Sequence, residues 1–135
     1  MKIIYLSVIL LLTFSCRDKD AELPKNQLVG TWKLISQCVK NGTNPCNEEI
    51  LSADKTVTIT FTNDDRYLES FKNTTANKYG FLGCGGGYSL EGKQVRIVGF
   101  CMSSLGGRLY DYTLTSDNQL IFEVDYLGKF IYQKQ

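Results

Sequence analysis

Residues 79–90 read YGFLGCGGGYSL, which places five glycines and one cysteine in twelve positions. Glycine-rich turns can bring backbone amides close to a phosphate, and a cysteine thiolate can bind a metal. A phosphate-binding loop needs a turn between a strand and a helix, with Lys-Ser/Thr or a further glycine at a set spacing. Nothing helical follows this stretch and neither pattern is present. The spacing therefore argues against a phosphate site.

The other residues that could do chemistry are few. The five cysteines stand 22, 8, 38 and 17 residues apart, and the chain has no histidine. Zinc sites use closely spaced cysteine pairs or histidines, and most nucleophilic triads need a histidine base. An enzyme would have to assemble a carboxylate pair from scattered residues such as Glu69, Asp111 and Glu123. We therefore expect no catalytic site, no metal and no cofactor.

The N-terminus carries an apolar stretch that ends at a cysteine. Residues 3–15 follow Lys2 and are too short to span a bilayer as a helix, which takes about 20 residues. The end of the stretch, LTFSC, resembles the lipobox of bacterial lipoproteins. That resemblance implies that residues 1–15 are a signal peptide and that Cys16 becomes a lipidated N-terminus. An ordinary secretory signal followed by an unpaired cysteine is the alternative.

Residues 16–27 are predicted to be the lipidated cysteine and a flexible tether, because 17–27 are charged, contain a proline and lack apolar periodicity. Asp18, Asp20 and Glu22 resemble the acidic surface-export signals of Bacteroidota lipoproteins. Two or three acyl chains hold a protein stably on a membrane. We therefore expect an envelope protein, lipid-anchored on the outer membrane of a Gram-negative bacterium and facing the periplasm or the surface.

The charge balance bears on partners. Residues 1–15 contain one charged residue, Lys2, so the mature chain has 14 basic and 14 acidic residues. A net charge near zero argues against nucleic acid as a partner. The remainder, residues 28–135, is long enough for one domain with one core.

Alternation of apolar and polar residues predicts about eight short strands in this domain and no long helix. In the first strand, alternation points Trp32, Leu34 and Cys38 inward, with Lys33 and Gln37 outward. Consecutive antiparallel strands with short connections favour a closed up-and-down β-barrel, because closure removes the sheet edges. A sandwich is the alternative. The predicted strands are 28–39, 56–62, 67–71, two within 88–100, 108–115, 119–126 and 129–134.

The segment LEGKQV, residues 90–95, predicts a hairpin that turns at Gly92 and Lys93. In that register Cys84 faces Cys101 as a non-hydrogen-bonded pair, with Cα atoms about 4.5 Å apart, which a disulfide accepts. The glycines before Tyr88 are then strand residues that let the barrel wall bend. With Cys16 lipidated, four cysteines allow three pairings, and this register would leave Cys38 with Cys46.

Two segments resemble known families. LVGTWKL, residues 28–34, resembles the G-x-W signature of lipocalins and of the lipocalin-like domains of Bacteroidota lipoproteins, and ITFTNDDRY, residues 59–67, resembles the segment that follows it there. The resemblance implies an eight-stranded calycin barrel whose tryptophan closes one end beneath a late arginine, where this chain offers only Lys129 and Lys134. Residues 83–101 also resemble META-type envelope domains, which is the alternative family.

The lipocalin resemblance implies a non-enzymatic module that binds a small hydrophobic ligand in the barrel. Eight-stranded barrels are either filled by side chains or hold one small ligand, and the many aromatic residues here favour a filled interior. The alternative function is therefore an envelope structural or interaction protein without a small-molecule ligand. The predicted lining consists of inward-facing residues: Trp32, Phe61, Tyr67, Glu69, Tyr88, Tyr112, Leu114, Phe122 and Tyr132.

Two features can separate these hypotheses. An inward carboxylate is costly unless it is paired or solvated, so Glu69 indicates either a wet cavity or a register shifted by one residue. An exposed apolar patch around Val98 and Phe100, which the hairpin register turns outward, would favour the interaction protein.

Overall fold

The structure is a computed structural model that describes residues 25–40 and 46–135. The predictions for the signal peptide, for Cys16 and for most of the tether fall outside these residues. In chain order the elements are α1 Lys25–Leu28, β1 Gly30–Val39, β2 Glu49–Ile50, β3 Thr56–Phe61, β4 Arg66–Lys72, α2 Ala76–Tyr79, β5 Gly86–Glu91, β6 Gln94–Gly99, β7 Arg108–Leu114, β8 Gln119–Val124 and β9 Gly128–Lys134.

Eight strands close into an antiparallel barrel. From β3 to β9 each strand pairs with the next, while β1 pairs with β3 on one side and with β9 on the other. The predicted all-β up-and-down barrel is confirmed, and the sandwich alternative is wrong. A ninth strand, β2, adds two residues to β1 at Ser36 and Gln37. It was not predicted, because two residues are too few to show an alternating pattern.

The β5–β6 hairpin has the predicted register. Leu90 pairs with Val95 and the pairing continues without a shift to Gly86 and Gly99. Gly92 has φ +60°, the left-handed conformation that the first turn position of such a hairpin requires. A Cβ on Gly86 would overlap the backbone of Val98, so these two strands can approach each other only because that position is glycine.

A bulge in β1 overturns part of the predicted alternation. The pairing of β1 with β9 shifts between Leu34 and Ser36, so that Gln37 lies opposite the core residue Phe130. Gln37 is only 5% exposed and points inward, whereas Cys38 lies opposite Lys129. The prediction that Cys38 faces inward and Gln37 outward is wrong, because an extra residue in one strand flips every side chain beyond it.

The strand directions define two ends of the barrel. The Trp32 end carries α1, the start of β1 and the turn between β7 and β8; the opposite end, which we call the mouth, carries the end of β1 and the loops 73–85, 99–107 and 125–127. Between them runs one core, whose buried residues are Leu28, Trp32, Leu34, Val57, Ile59, Phe61, Tyr67, Tyr79, Phe81, Tyr88, Val95, Ile97, Tyr110, Tyr112, Leu120, Phe122, Val124, Phe130 and Tyr132.

Candidate functional site

The nine residues predicted to line the barrel belong to its packed interior. Seven of them are at most 7% exposed, while Glu69 and Leu114 are partly buried: the seven are Trp32, Phe61, Tyr67, Tyr88, Tyr112, Phe122 and Tyr132. Their rings contact one another, with centroids 4.9 Å apart for Phe61 and Tyr88. Side chains that expose no surface, such as Phe61, Phe122 and Tyr132, border no space for a water molecule. The barrel centre is therefore filled.

A segment between β4 and β5 completes this filling from the mouth. Residues 76–83, called the plug below, comprise α2 and the turn that follows it. Phe81 is 4% exposed and stacks on Phe122 with ring centroids 4.7 Å apart. The glycines at 80 and 83 belong to the plug, and only Gly86 and Gly87 lie in β5. The prediction that the whole glycine run is strand is therefore only partly right.

Glu69 faces inward and binds the plug. Its carboxylate accepts hydrogen bonds from the backbone N–H groups of Phe81 at 3.1 Å, Leu82 at 2.8 Å and Gly83 at 3.0 Å, and from the Tyr67 hydroxyl at 2.6 Å. Burial raises the pKa of Glu69, and these hydrogen bonds act against that rise. The register of β4 with β3 is unbroken. The shifted-register explanation is therefore wrong, and backbone amides from a distant segment satisfy the inward carboxylate.

The wall of the barrel holds the other side of the plug. The Gln37 side chain, turned inward by the bulge, donates from Nε2 to the Lys78 carbonyl oxygen at 3.2 Å. The Tyr79 hydroxyl donates to Glu49 Oε1 at 2.5 Å, and Lys78 Nζ lies 3.7 Å from the same oxygen. The hydrogen bond from Tyr79 lowers the pKa of Glu49. Two carboxylates, the partly buried Glu69 and the exposed Glu49, thus fasten the plug.

Two disulfides also lie at the mouth. Cys84 is bonded to Cys101 with Cα atoms 6.0 Å apart, and Cys38 to Cys46 with Cα atoms 5.3 Å apart. The pairing favoured by the hairpin register is confirmed. The position of the Cys84–Cys101 bond differs from the prediction, because β5 begins after Cys84, β6 ends before Cys101, and Cys101 is exposed. The bond joins Cys84, which directly follows the plug, to Cys101 in the loop 99–107.

A pocket of about 330 Å³ opens at the mouth between the plug and the loop 99–107. Phe81 and Tyr110 contribute aromatic surface, and Arg108 donates from Nη1 to the Tyr126 hydroxyl at 3.0 Å. We call it the mouth pocket; it is lined by Phe81, Leu82, Cys101, Met102, Ser103, Ser104, Arg108, Tyr110, Tyr126 and Leu127.

Sequence analysis did not identify this pocket. Of its lining residues only Cys101 was singled out, and that was for its disulfide. The available signal was the cluster of Tyr79, Phe81 and Leu82 in a segment without strand alternation. Large apolar side chains between strands need burial, and here Tyr79 and Phe81 are buried in the core while Leu82 is partly buried against it.

The Trp32 end is built differently. Trp32 Nε1 donates to the Leu28 carbonyl oxygen at 2.8 Å, and Lys134 Nζ lies 4.9 Å from the centroid of the Trp32 ring. Lys134 thus packs on the tryptophan as the late arginine does in lipocalins. A hollow of about 470 Å³ borders this end, but turn residues 115, 116 and 118 and Lys134 make up most of its lining.

Of the carboxylates considered for catalysis, the structure brings two to one hollow and leaves the third apart from them. Glu69 lies inside the barrel, while Asp111 and Glu123 border a hollow on its outer surface. In the part of the chain that the structure describes, no three His, Cys, Asp or Glu side chains are grouped as a metal site would require. No helix there has both the length and the apolar character needed to cross a membrane.

One solved structure resembles the chain weakly. It is the 2.60 Å crystal structure of an uncharacterized protein from Bacteroides eggerthii DSM 20697, with a TM-score of 0.41 and 12% sequence identity, covering 80% of this chain and 99% of that chain. No curated protein matches significantly.

The family comparison is more informative. The family described as lipocalin-like domain matches residues 28–122, from the G-x-W segment to the middle of β8. Folds of this family are generally non-enzymatic binding folds. The match agrees with the closed eight-stranded barrel and with the tryptophan packed at one of its ends. This chain therefore belongs to the lipocalin-like domain family and not to the META-type alternative.

Proposed function

We propose that this protein is a lipid-anchored, non-enzymatic binding module that takes a small hydrophobic ligand at the mouth pocket and not at the barrel centre. The observation that carries the proposal is the pocket itself. Its volume of about 330 Å³ falls within the range of small-molecule sites, roughly 300–1,000 Å³. The barrel centre, where the sequence placed the ligand, is occupied by the protein's own side chains, including Phe81.

The chemistry of the lining supports an apolar ligand with a polar end. Tyr126, which is 55% exposed, offers most of the aromatic surface, since Phe81 and Tyr110 are nearly buried. Met102 is a flexible side chain that adapts to irregular shapes. The hydroxyls of Ser103 and Ser104 and the Arg108 guanidinium add a few polar contacts. The pocket thus presents apolar and polar groups in similar measure, which suits a ligand that has an apolar body and a polar end.

The position of the N-terminus supports uptake from the aqueous side. The described chain begins with α1 at the Trp32 end, where Lys134 donates to the Gln27 carbonyl oxygen. The described chain thus enters the barrel at the end opposite the mouth, so a lipid anchor preceding it need not cover the mouth pocket.

Two intrinsic reporters allow a direct test on the full-length lipidated chain in nanodiscs. Met102 is the only methionine besides Met1, and Trp32 is the only tryptophan. Titration with the neutral probe 4-phenylbutanol should shift the ¹³C-methyl signal of Met102 in a saturable way and leave Trp32 fluorescence unaffected.

A matched pair of variants locates the site. Ser104→Phe fills the mouth pocket and should abolish the shift, while Leu105→Phe alters the neighbouring residue, which is 98% exposed and outside the lining. Absence of a saturable shift in the natural sequence, or equal binding by both variants, would refute the proposal.

An envelope interaction protein without a small-molecule ligand is the second candidate. It is favoured by the filled barrel and by apolar side chains on the outer face, since Phe100 is 84% exposed and Val98 is 36% exposed. This candidate would be preferred if no probe binds at the mouth pocket while Phe100→Ser weakens association with an envelope protein cross-linked to the chain in its host.

A further inference from the structure

We infer that the ligand of the mouth pocket is an anionic amphiphile, a carboxylate on a small apolar body, and that Arg108 binds the carboxylate. The inference rests on the proposed function and names the chemical class of its ligand. Three observations support it: within the described residues the guanidinium has no acidic partner, it is held in place by Tyr126, and apolar side chains line the same pocket.

Arg108 carries a charge that its surroundings leave unpaired. Its guanidinium makes one hydrogen bond, to the Tyr126 hydroxyl at 3.0 Å, and no carboxylate within residues 25–40 and 46–135 lies within ion-pair distance. Arg96, on the neighbouring strand, differs: Nε and Nη2 donate to the two carboxylate oxygens of Glu91 at 2.5 and 3.1 Å. The guanidinium at the pocket therefore keeps free donors of the kind that bind a carboxylate in a bidentate way.

The guanidinium is also held in position before any ligand arrives. Arg108 is the first residue of β7, and its guanidinium carbon lies 5.6 Å from the centroid of the Tyr126 ring. Stacking on an aromatic face leaves the N–H groups at the edge of the guanidinium available. Such preorganisation lowers the entropy lost when a ligand binds.

The remaining lining suits the rest of such a ligand. Phe81, Leu82 and Leu127 offer apolar surface within the same pocket as Arg108. The hydroxyls of Ser103 and Ser104 can add hydrogen bonds to a carboxylate. A neutral ligand of the same shape would fill the apolar part but leave the guanidinium without a partner.

The acidic side chains near the mouth pocket are separated from it by Tyr110 and Tyr126. Asp111, Glu123 and Asp125 border a separate outer hollow, which shares only Tyr110 and Tyr126 with the mouth pocket. The mouth pocket itself has one charged residue, and that residue is basic. A cationic ligand is therefore disfavoured there.

The test compares 4-phenylbutyrate with 4-phenylbutanol, which share an apolar body and differ in the acidic head. With the full-length chain in nanodiscs and Met102 as the reporter, we expect the acid to bind at least about tenfold more tightly than the alcohol. Arg108→Gln should reduce that ratio to near one, and Arg108→Lys should keep part of it. Arg96→Gln, whose charge lies outside the pocket, is the matched control and should keep the full ratio. Added salt should lower the ratio.

The outcomes separate the inference from the proposed function. Equal binding of acid and alcohol would overturn the anionic ligand and leave the binding module in place, whereas binding of neither would overturn the proposed function. A preference for the acid that persists in Arg108→Gln would overturn the role of Arg108. Tyr126→Phe tests the positioning of Arg108: it keeps the ring contact and removes the hydrogen bond, so its preference for the acid should be reduced but not abolished.

Discussion

The two ends of the barrel are closed by different means. At the Trp32 end a tryptophan near the start of β1 bonds to α1 only four residues earlier and is covered by Lys134 from β9. At the mouth, a plug from between β4 and β5 inserts Phe81 and is held by two carboxylates and an inward glutamine. Both disulfides are at the mouth.

This difference indicates which end of the barrel can open locally. Trp32 and Lys134 at the Trp32 end belong to paired strands of the sheet, so we expect their contact to open only when the barrel unfolds. The plug has no strand partner among the described residues and depends on side-chain contacts. We therefore expect the mouth to open locally at a lower free energy than the rest of the domain. A binding pocket next to such a segment can adapt to its ligand.

The largest loss of stability is expected from a substitution at the Trp32 end. Trp32→Ala removes a side chain that is 2% exposed and leaves a cavity among strand residues, so it should lower the free energy of unfolding by about 3–5 kcal/mol. Urea denaturation measures this change. Leu105→Ala, at a position 98% exposed, serves as the control and should change stability by less than about 0.5 kcal/mol. Comparable losses in both variants would contradict a core role for the tryptophan.

Removal of the Glu69 side chain should lower the free energy of unfolding almost as much, because it releases the plug at the mouth. Glu69→Ala leaves three backbone N–H groups of the plug and the Tyr67 hydroxyl without their acceptor, at a cost of about 3 kcal/mol. Glu69→Gln keeps one acceptor oxygen and should cost about 1 kcal/mol. Hydrogen exchange should show the loss of protection at residues 81–83 and not at residues 32–34. Uniform loss across both regions would contradict local opening of the mouth.

The disulfides should act on the mouth alone. Replacing Cys84 and Cys101 together with serine should cost about 3 kcal/mol, and replacing Cys38 and Cys46 about 2.5 kcal/mol, because the first bond closes the longer loop. Thermal denaturation gives the ranking of the two. Trp32 fluorescence in the folded state should be unaffected in either variant, and a changed spectrum would show that the two ends are coupled.

The two carboxylates on the plug should give opposite pH dependence. Burial raises the pKa of Glu69 above its ordinary value of 4.5, so its stabilising contribution is complete below pH 4.5 and is lost as pH rises through the folded-state value. The pKa of Glu49 is lowered by the Tyr79 hydroxyl, so its contribution is present above pH 4.5 and lost on acidification.

Unfolding free energies measured between pH 3 and pH 7 separate the two contributions. Relative to Glu69→Gln, the natural sequence should lose stability as pH rises, by about 1.4 kcal/mol for each pKa unit of displacement. Relative to Glu49→Gln, it should lose stability as pH falls. Parallel pH profiles for all three proteins would exclude both assignments.

The smallest loss of stability is expected from substitution of Lys134, which packs on Trp32. Lys134→Gln removes a cation 4.9 Å from the Trp32 ring centroid and should cost about 0.5–1 kcal/mol. Lys134→Arg restores the lipocalin pattern and should keep or slightly increase stability. Urea denaturation distinguishes them, and equal destabilisation by both would show that the charge does not act through the ring.

The features predicted correctly are those that short-range patterns encode. Alternation of apolar and polar residues identified the barrel strands, because a strand with one buried face must repeat every two residues. The turn at Gly92 set the register of a hairpin and thereby the pairing of Cys84 with Cys101. The G-x-W segment indicated a tryptophan packed at one end of the barrel, which the structure contains.

The features missed depend on contacts between distant segments. A single bulge in β1 turned Gln37 inward, and no local sequence pattern predicted that bulge. Glu69 is satisfied by amides 12 to 14 residues further along the chain, which only the folded loop brings to it. The mouth pocket combines a plug, a loop and a strand end that no single motif links.

By itself, the amino-acid sequence determined that this chain closes a sheet of short antiparallel strands and where one hairpin turns, because those properties follow from side-chain period and turn chemistry. Only the tertiary structure decided what fills the barrel, which amides satisfy Glu69 and where a ligand can bind. These outcomes depend on contacts between residues that are distant in the sequence, and such residues come together only when the barrel closes.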